Sequence, residues 1–147
     1  MGRKQDRAMI LQTLYALEVG KDFRMAAAEE FWKNHGLKKN RSREFIAKTV
    51  AGVLDHRKEI DRSIEKHSRN WSLPRIAAVE RSILRIGAFE ILHDPETPVR
   101  VVINEAVELA KIYGGKDSSG FVNGILDQLA RSARSETGED KTGQSPG

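Results

Sequence analysis

Residues 75–92 read RIAAVERSILRIGAFEIL, and the periodicity of this stretch decides the fold. At about 100° per residue, Val79, Ile76, Ile83, Ile86, Leu84 and Ile91 fill a broad arc of a helix. Phe89 and Leu92 fall on the opposite side, among Arg81, Ser82 and Arg85. A surface helix in a small domain does not need so much apolar circumference. The stretch therefore predicts a central helix that the others pack around. Two carboxylates, Glu80 and Glu90, point into the apolar arc, where an unpaired charge is costly. For Glu90 the simplest account is a bond from a nearby backbone or arginine group. Glu80, near the start of the helix, is expected to face a partner.

Downstream, residues 93–98 (HDPETP) form a loop, because two prolines stand three residues apart. Thr97 and Pro98 launch a helix in which Val102, Ile103, Ala106, Val107, Leu109, Ala110 and Tyr113 share one face. Gly114 and Gly115 end it. Asp117 or Ser118 caps a last helix carrying Phe121, Val122, Ile125, Leu126 and Leu129. From about Arg134 onward no apolar anchor remains, so 134–147 is expected to be disordered.

Upstream, Trp71 to Pro74 punctuates the chain, and the central helix has a potential break near Ala78–Val79. Ser42 is the expected N-cap of a helix running to about Ser68, along which Ile46, Val50, Val53, Ile60 and Ile64 form a near-heptad stripe. A shorter helix covers Met25 to Asn34. The first runs from about Asp6 to Val19, with Gly20 as its stop. Strand-like alternation is not evident in any segment. The expected fold is all-α, six or seven helices in one domain over 1–133, with bundles of about 1–70 and 71–133.

The 147 residues are 39% hydrophobic and 31% charged, as suits a soluble globular chain, and contain no cysteine. Disulfides, a thiol nucleophile and Cys-ligated zinc are thereby excluded. No apolar run approaches the ~20 residues of a membrane span, and GRKQDR after Met1 lacks a signal-peptide core, so the cytoplasm is the expected location. Residues 1–75 hold 17 Lys/Arg against 10 Asp/Glu, whereas 76–147 hold 8 against 11. A basic half suggests a polyanionic partner, with nucleic acid the leading candidate and a solvated basic face the plain alternative.

Arg3, Lys4 and Arg7 sit at or before a helix N-terminus, a placement the helix dipole disfavours but a phosphate-reaching arm would use. Residues 115–119 (GKDSS) are not a nucleotide phosphate loop, because Ala110 stands where a glycine is required and a helix precedes them. The histidines at 35, 56, 67 and 93 are scattered, without metal-ligand spacing beside a carboxylate on one helical face. Glu105 and Glu108 read as a solvated acidic face. No local grouping supplies catalysis, and neither a cofactor nor a metal is expected. In the loop from Lys116 to Phe121, an aromatic and a carboxylate four residues apart can stack one unpaired base and accept its amino protons. Alternatively, Asp117 only caps the helix and Phe121 only packs in the core.

Residues 81–86 (RSILRI) with Glu90, then 103–111 (INEAVELAK), then Asp117-Ser118 and 121–127 (FVNGILD) closely resemble the NusB transcription antitermination factors. The resemblance is specific from Trp71 to Leu129 and collinear over the first helix. It implies an all-helical fold of two packed bundles without catalytic activity. It further implies binding of the boxA element of nascent ribosomal RNA together with NusE, a small-subunit ribosomal protein, to help RNA polymerase resist termination. An arginine-rich N-terminal segment contacts RNA in the family, and Arg3, Lys4 and Arg7 occupy that place, interrupted by Gln5 and Asp6. Asp117 and Phe121 match the family's aspartate and phenylalanine at the RNA surface. Tyr15 and Glu80 match positions on the RNA and NusE faces.

Two other readings stay open at this point. One is a protein-interaction helical domain, and the other a detached RNA-targeting module of an rRNA methyltransferase. The resemblance also leaves open a homodimer that buries the RNA surface until a partner arrives.

Overall fold

The computed structural model describes residues 2–69 and 71–137. Among these are seven α-helices and no strand: α1 (Arg3–Gly20), α2 (Met25–Asn34), α3 (Arg41–Asp55), α4 (Arg57–His67), α5 (Ala78–His93), α6 (Val99–Tyr113) and α7 (Ser118–Thr137). A single 3-10 turn, Leu73–Arg75, precedes α5.

Helix α5 is the hub that its apolar circumference predicts. It packs against α1, α3, α4, α6 and α7, and every residue from Ser82 to Glu90 is buried. The side expected to be polar is buried as well, because other helices bring counter-charges to it. Arg85 donates through Nη1 to Glu18 Oε1 of α1 at 2.8 Å, and through Nε and Nη2 to the Asp61 carboxylate of α4 at 2.8 and 3.1 Å. Arg81 donates through Nε to Glu18 Oε1 at 3.1 Å. Burial alone would push the Glu18 carboxyl up, but the bonds and charges of Arg81 and Arg85 outweigh it and hold the group below its ordinary value. An ion-pair layer thus replaces the solvated stripe, and Phe89 shares its burial.

Several boundaries differ from expectation. Helix α5 begins at Ala78, with the break at Ile76–Ala77. Arg81 Nη1 donates to the carbonyls of Leu73 and Ile76 at 3.1 and 2.6 Å, which satisfies the 3-10 turn outside the helix. The long helix expected from Ser42 to Ser68 is two helices bent at His56, and α4 packs mainly on α5 and α7. Asn40 rather than Ser42 caps α3, accepting from the Arg43 backbone N–H at 3.1 Å, while Ser42 is buried. Gly52 lets α3 approach α5 here, since a Cβ would fall 2.3 Å from the Phe89 ring. Helix α1 starts at Arg3, and the left-handed position at its end is Lys21, with φ 54°, not Gly20. Helix α7 continues through Thr137, so the expected disorder is corrected for 134–137; residues 138–147 lie outside the described residues.

Trp32 of α2 is buried, and its indole Nε1–H donates to Thr13 Oγ1 at 2.9 Å, which in turn donates to the Met9 carbonyl at 2.7 Å. Indole and hydroxyl are both paired, so α2 docks on α1 without an orphaned polar group.

Candidate nucleic-acid interface

Starting α1 at Arg3 turns the expected arm into the helix's first turn, and its three cations have different fates. Lys4 is exposed. Arg3 is exposed too, but it is held: Nη1 donates to Asp6 Oδ2 at 2.8 Å, and the guanidinium lies 3.9 Å from the Phe45 ring centroid. Asp6 is fully buried in the first turn, where the positive end of the dipole favours a carboxylate. Arg7 is 4% exposed and makes a two-pronged pair with Glu90, Nε to Oε1 at 3.2 Å and Nη2 to Oε2 at 2.9 Å. The expectation that Arg7 reaches RNA is therefore corrected, because Glu90 on α5 would otherwise be an uncompensated charge in the core. Glu90 itself has the kind of partner its position called for.

Geometry along α1 favours Lys4. Eleven residues separate Lys4 from Tyr15, which at 100° and 1.5 Å per residue puts them within about 20° on one stripe and roughly 17 Å apart. Tyr15 is 41% exposed and lines an apolar groove with Ala16, Val19, Phe31, Val79 and Tyr113. Val79 immediately precedes Glu80, and Tyr113 immediately precedes the glycine that ends α6. The groove and the loop of residues 114–121 therefore adjoin.

That loop has a specific support. The Gly114 N–H donates to the Ala110 carbonyl at 2.9 Å. A Cβ at Gly114 would meet the Ser118 side chain at 2.6 Å and the Ala110 carbonyl oxygen at 2.7 Å, so only glycine fits. Buried Ser118 accepts from the Gly115 N–H through Oγ at 2.9 Å and donates from the same oxygen to the Glu80 carboxylate. Glu80 thus ties the loop to the start of α5 while remaining partly exposed. Asp117 takes the N-cap position of α7, its carbonyl accepting from the Phe121 N–H at 3.2 Å. Lys116 and Asp117 are exposed, and Phe121 is half-buried against the core.

Tyr15, Glu80, Lys116, Asp117 and Phe121 thus gather around one groove and its adjoining loop. Arg3 does not: it lines a different groove with Arg41, Lys48 and His93, near the far end of α5. The sequence reading missed the Ser118–Glu80 clamp. Its available signal was a serine four residues after the glycine that ends α6.

The clamp makes a test. Ser118→Ala removes the bridge, and we expect amide hydrogen exchange to accelerate at Gly115 and Phe121 with only a small fall in melting temperature. Glu80→Gln, which still accepts from Ser118, should preserve protection where Glu80→Ala loses it. Equal protection in Ser118→Ala and the unmodified chain would remove the clamp from the loop's support.

A family model described as the NusB family matches residues 4–131. "Transcription antitermination protein NusB" of Myxococcus xanthus is 43% identical over 131 residues, covering 87% of this chain and 94% of the relative. The protein of that name from Acetivibrio thermocellus is 41% identical, covering 89% and 90% respectively. Among solved structures, T. maritima NusB superposes with a TM-score of 0.82 at 31% identity, over 95% of this chain and 98% of that one. A structure titled as antitermination factors NusB and NusE in complex with dsRNA gives 0.79 at 28% identity, over 88% and 96%.

Proposed function

This chain belongs to the NusB family, and on that premise we propose how it works as an RNA-binding transcription antitermination factor. It binds boxA of nascent ribosomal RNA together with NusE and helps RNA polymerase resist termination, without a catalytic step of its own. The NusB–NusE complex with dsRNA supports both the RNA and the protein partner. No helix among the described residues is long and apolar enough to cross a membrane, and the site of action we propose is the cytoplasm. Residues 1–133 act as one unit of two bundles meeting at α5, with the division at the His56 bend rather than near residue 70.

The observation that carries the RNA reading is the loop of residues 116–121, clamped through Ser118 beside exposed Tyr15 on the stripe that begins at Lys4. Stacking on an aromatic ring is tolerant of base identity, and a carboxylate selects amino-bearing base edges while repelling phosphate. Asp117 and Phe121 therefore take a base, Lys116 and Lys4 take phosphates, and the strand runs along α1. Glu80 contributes through the loop and, on its exposed side, to the NusE face. A detached methyltransferase module is disfavoured, because the relatives matched at 43% and 41% identity are named transcription antitermination proteins.

Filter binding with boxA RNA, with and without NusE, tests this directly. Tighter retention with NusE is expected; no retention under either condition overturns the proposal and leaves a protein-interaction domain. Lys4→Ala should flatten the slope of log K against log salt by about 0.7 for one lost contact to single-stranded RNA. Its helical signal should not change. An unaltered slope would take Lys4 out of the binding site.

A further inference from the structure

The fold brings together three side chains that the RNA reading does not use. His56 stands at the α3–α4 bend, Glu59 in the first turn of α4, and His93 is the last residue of α5. His93 Nε2 lies 2.9 Å from Glu59 Oε1, and His56 Nδ1 lies 3.6 Å from the same oxygen. The two imidazoles stack with centroids 3.9 Å apart and planes 17° from parallel. One donor atom from each of the three residues falls within 4.8 Å of the others. We propose that His56, Glu59 and His93 form a binding site for a divalent transition metal ion, with Zn²⁺ the ion that fits best.

The distances support this. An ion with bonds of about 2.0–2.1 Å in tetrahedral geometry holds its ligand atoms roughly 3.3 Å apart. The two His-to-Glu separations bracket that spacing and the donor atoms all lie within 4.8 Å of one another, so closure needs the stacked imidazoles to splay. Two imidazoles and a carboxylate favour zinc, copper or nickel over the all-oxygen ions magnesium and calcium. Zinc has no geometric preference from its d-electrons and accepts three protein ligands plus water. The His56 and Glu59 side chains are 43% and 49% exposed, so an ion has access and its remaining position is open to solvent.

The frame beneath is rigid. Ile60 and Val53 are fully buried on either side of the bend, and Phe89 lies under both imidazoles, with centroids 6.4 Å from His56 and 5.8 Å from His93. Arg57, Lys58 and Arg62 border the same surface and weaken attraction for a cation. The Arg57 guanidinium is drawn aside, however, 4.0 Å over the Phe23 ring. Affinity below that of a buried structural zinc follows. A bound ion would pin the α3–α4 bend to the end of α5. That end is thirteen residues, or roughly 20 Å, from Glu80.

The test is calorimetric titration of the untagged full chain with zinc chloride, with magnesium chloride as the control. One saturable zinc site and no magnesium binding are expected. His56→Asn and His93→Asn should each weaken zinc binding at least tenfold, and so should Glu59→Gln, whose exposed position leaves the fold intact. The combined His35→Asn and His67→Asn variant, which changes the other two histidines, should bind as before. Zinc at a hundredfold excess over Kd should raise Tm by about 5–10 °C in the unmodified chain and much less in Glu59→Gln. Absence of saturable binding overturns the proposal. So does zinc affinity that survives both His93→Asn and Glu59→Gln, or that is lost in the His35/His67 variant instead.

Discussion

Arg7→Ala should lower stability by about 3–5 kcal/mol, the cost of leaving one charge of a buried pair without its partner. For a chain of this size that corresponds to a fall in Tm of about 10–15 °C, readable by thermal or urea denaturation. The pair joins the first turn of α1 to the last turns of α5, and both side chains are almost fully buried. Burial pushes the Glu90 carboxyl above its ordinary value, against the pull of Arg7, with Asp94 and Glu105 adding to the rise. A carboxyl with a raised folded-state pKa keeps its proton longer in the folded chain than in the unfolded one. Its contribution to stability therefore falls as pH rises from the ordinary carboxylate range through the folded value. Removing Arg7 extends that window upward. Arg7→Ala should be most compromised at neutral pH and should recover part of its loss as the pH is lowered toward the carboxylate range. Replacing both partners, Arg7→Met with Glu90→Leu, should restore most of the stability, because a well-packed apolar pair avoids both desolvation costs. RNA affinity of the surviving folded Arg7→Ala protein should change little. A large affinity loss without destabilisation would return Arg7 to the RNA surface.

Phe121→Ala should weaken boxA binding by about 1–3 kcal/mol, roughly 5- to 150-fold, the range found when a base loses an aromatic stacking partner. The half-buried ring also packs against the core, so a stability cost accompanies this. A fully buried phenylalanine costs about 3–5 kcal/mol on truncation, and a half-buried one should cost about half as much. The two losses separate by method: denaturation reads the packing, and RNA titration well below Tm reads the stacking. Phe121→Tyr and Phe121→Trp keep a π-face and should recover most of the affinity. Full affinity in folded Phe121→Ala would assign the ring to the core and leave the loop's contribution to Lys116 and Asp117.

Much of the architecture was legible because it is local. The apolar circumference of residues 75–92, the double-proline loop at 95–98 and the glycine pair at 114–115 each act within a turn or two of chain. Helix α2 begins and ends where its sequence reading placed it, at Met25 and Asn34. The candidate loop of residues 116–121 stood out on the same grounds, since an aromatic and a carboxylate at a helix start are neighbours whatever the rest of the chain does. Boundaries were less legible where a distant group intervenes. The start of α5 depends on Arg81 reaching back to two carbonyls, and the bend at His56 accompanies α4 packing onto α5 and α7.

By itself, then, the sequence determined the helical class, the central helix and the polar loop, each of which rests on spacing within one segment, while the family rests on motifs matched in order along the chain. Only the tertiary structure decided which charges are free to bind anything. Arg3, Lys4 and Arg7 look equivalent in a row of seven residues, yet one is held by Asp6 and Phe45, one is solvated, and one is buried against Glu90, 83 positions away. His56 and His93 look scattered and finish stacked. The physical reason is the same in each case. Helical periodicity fixes which way a side chain points from its own axis, whereas its partner is set by which other helix packs there, and no local pattern encodes that.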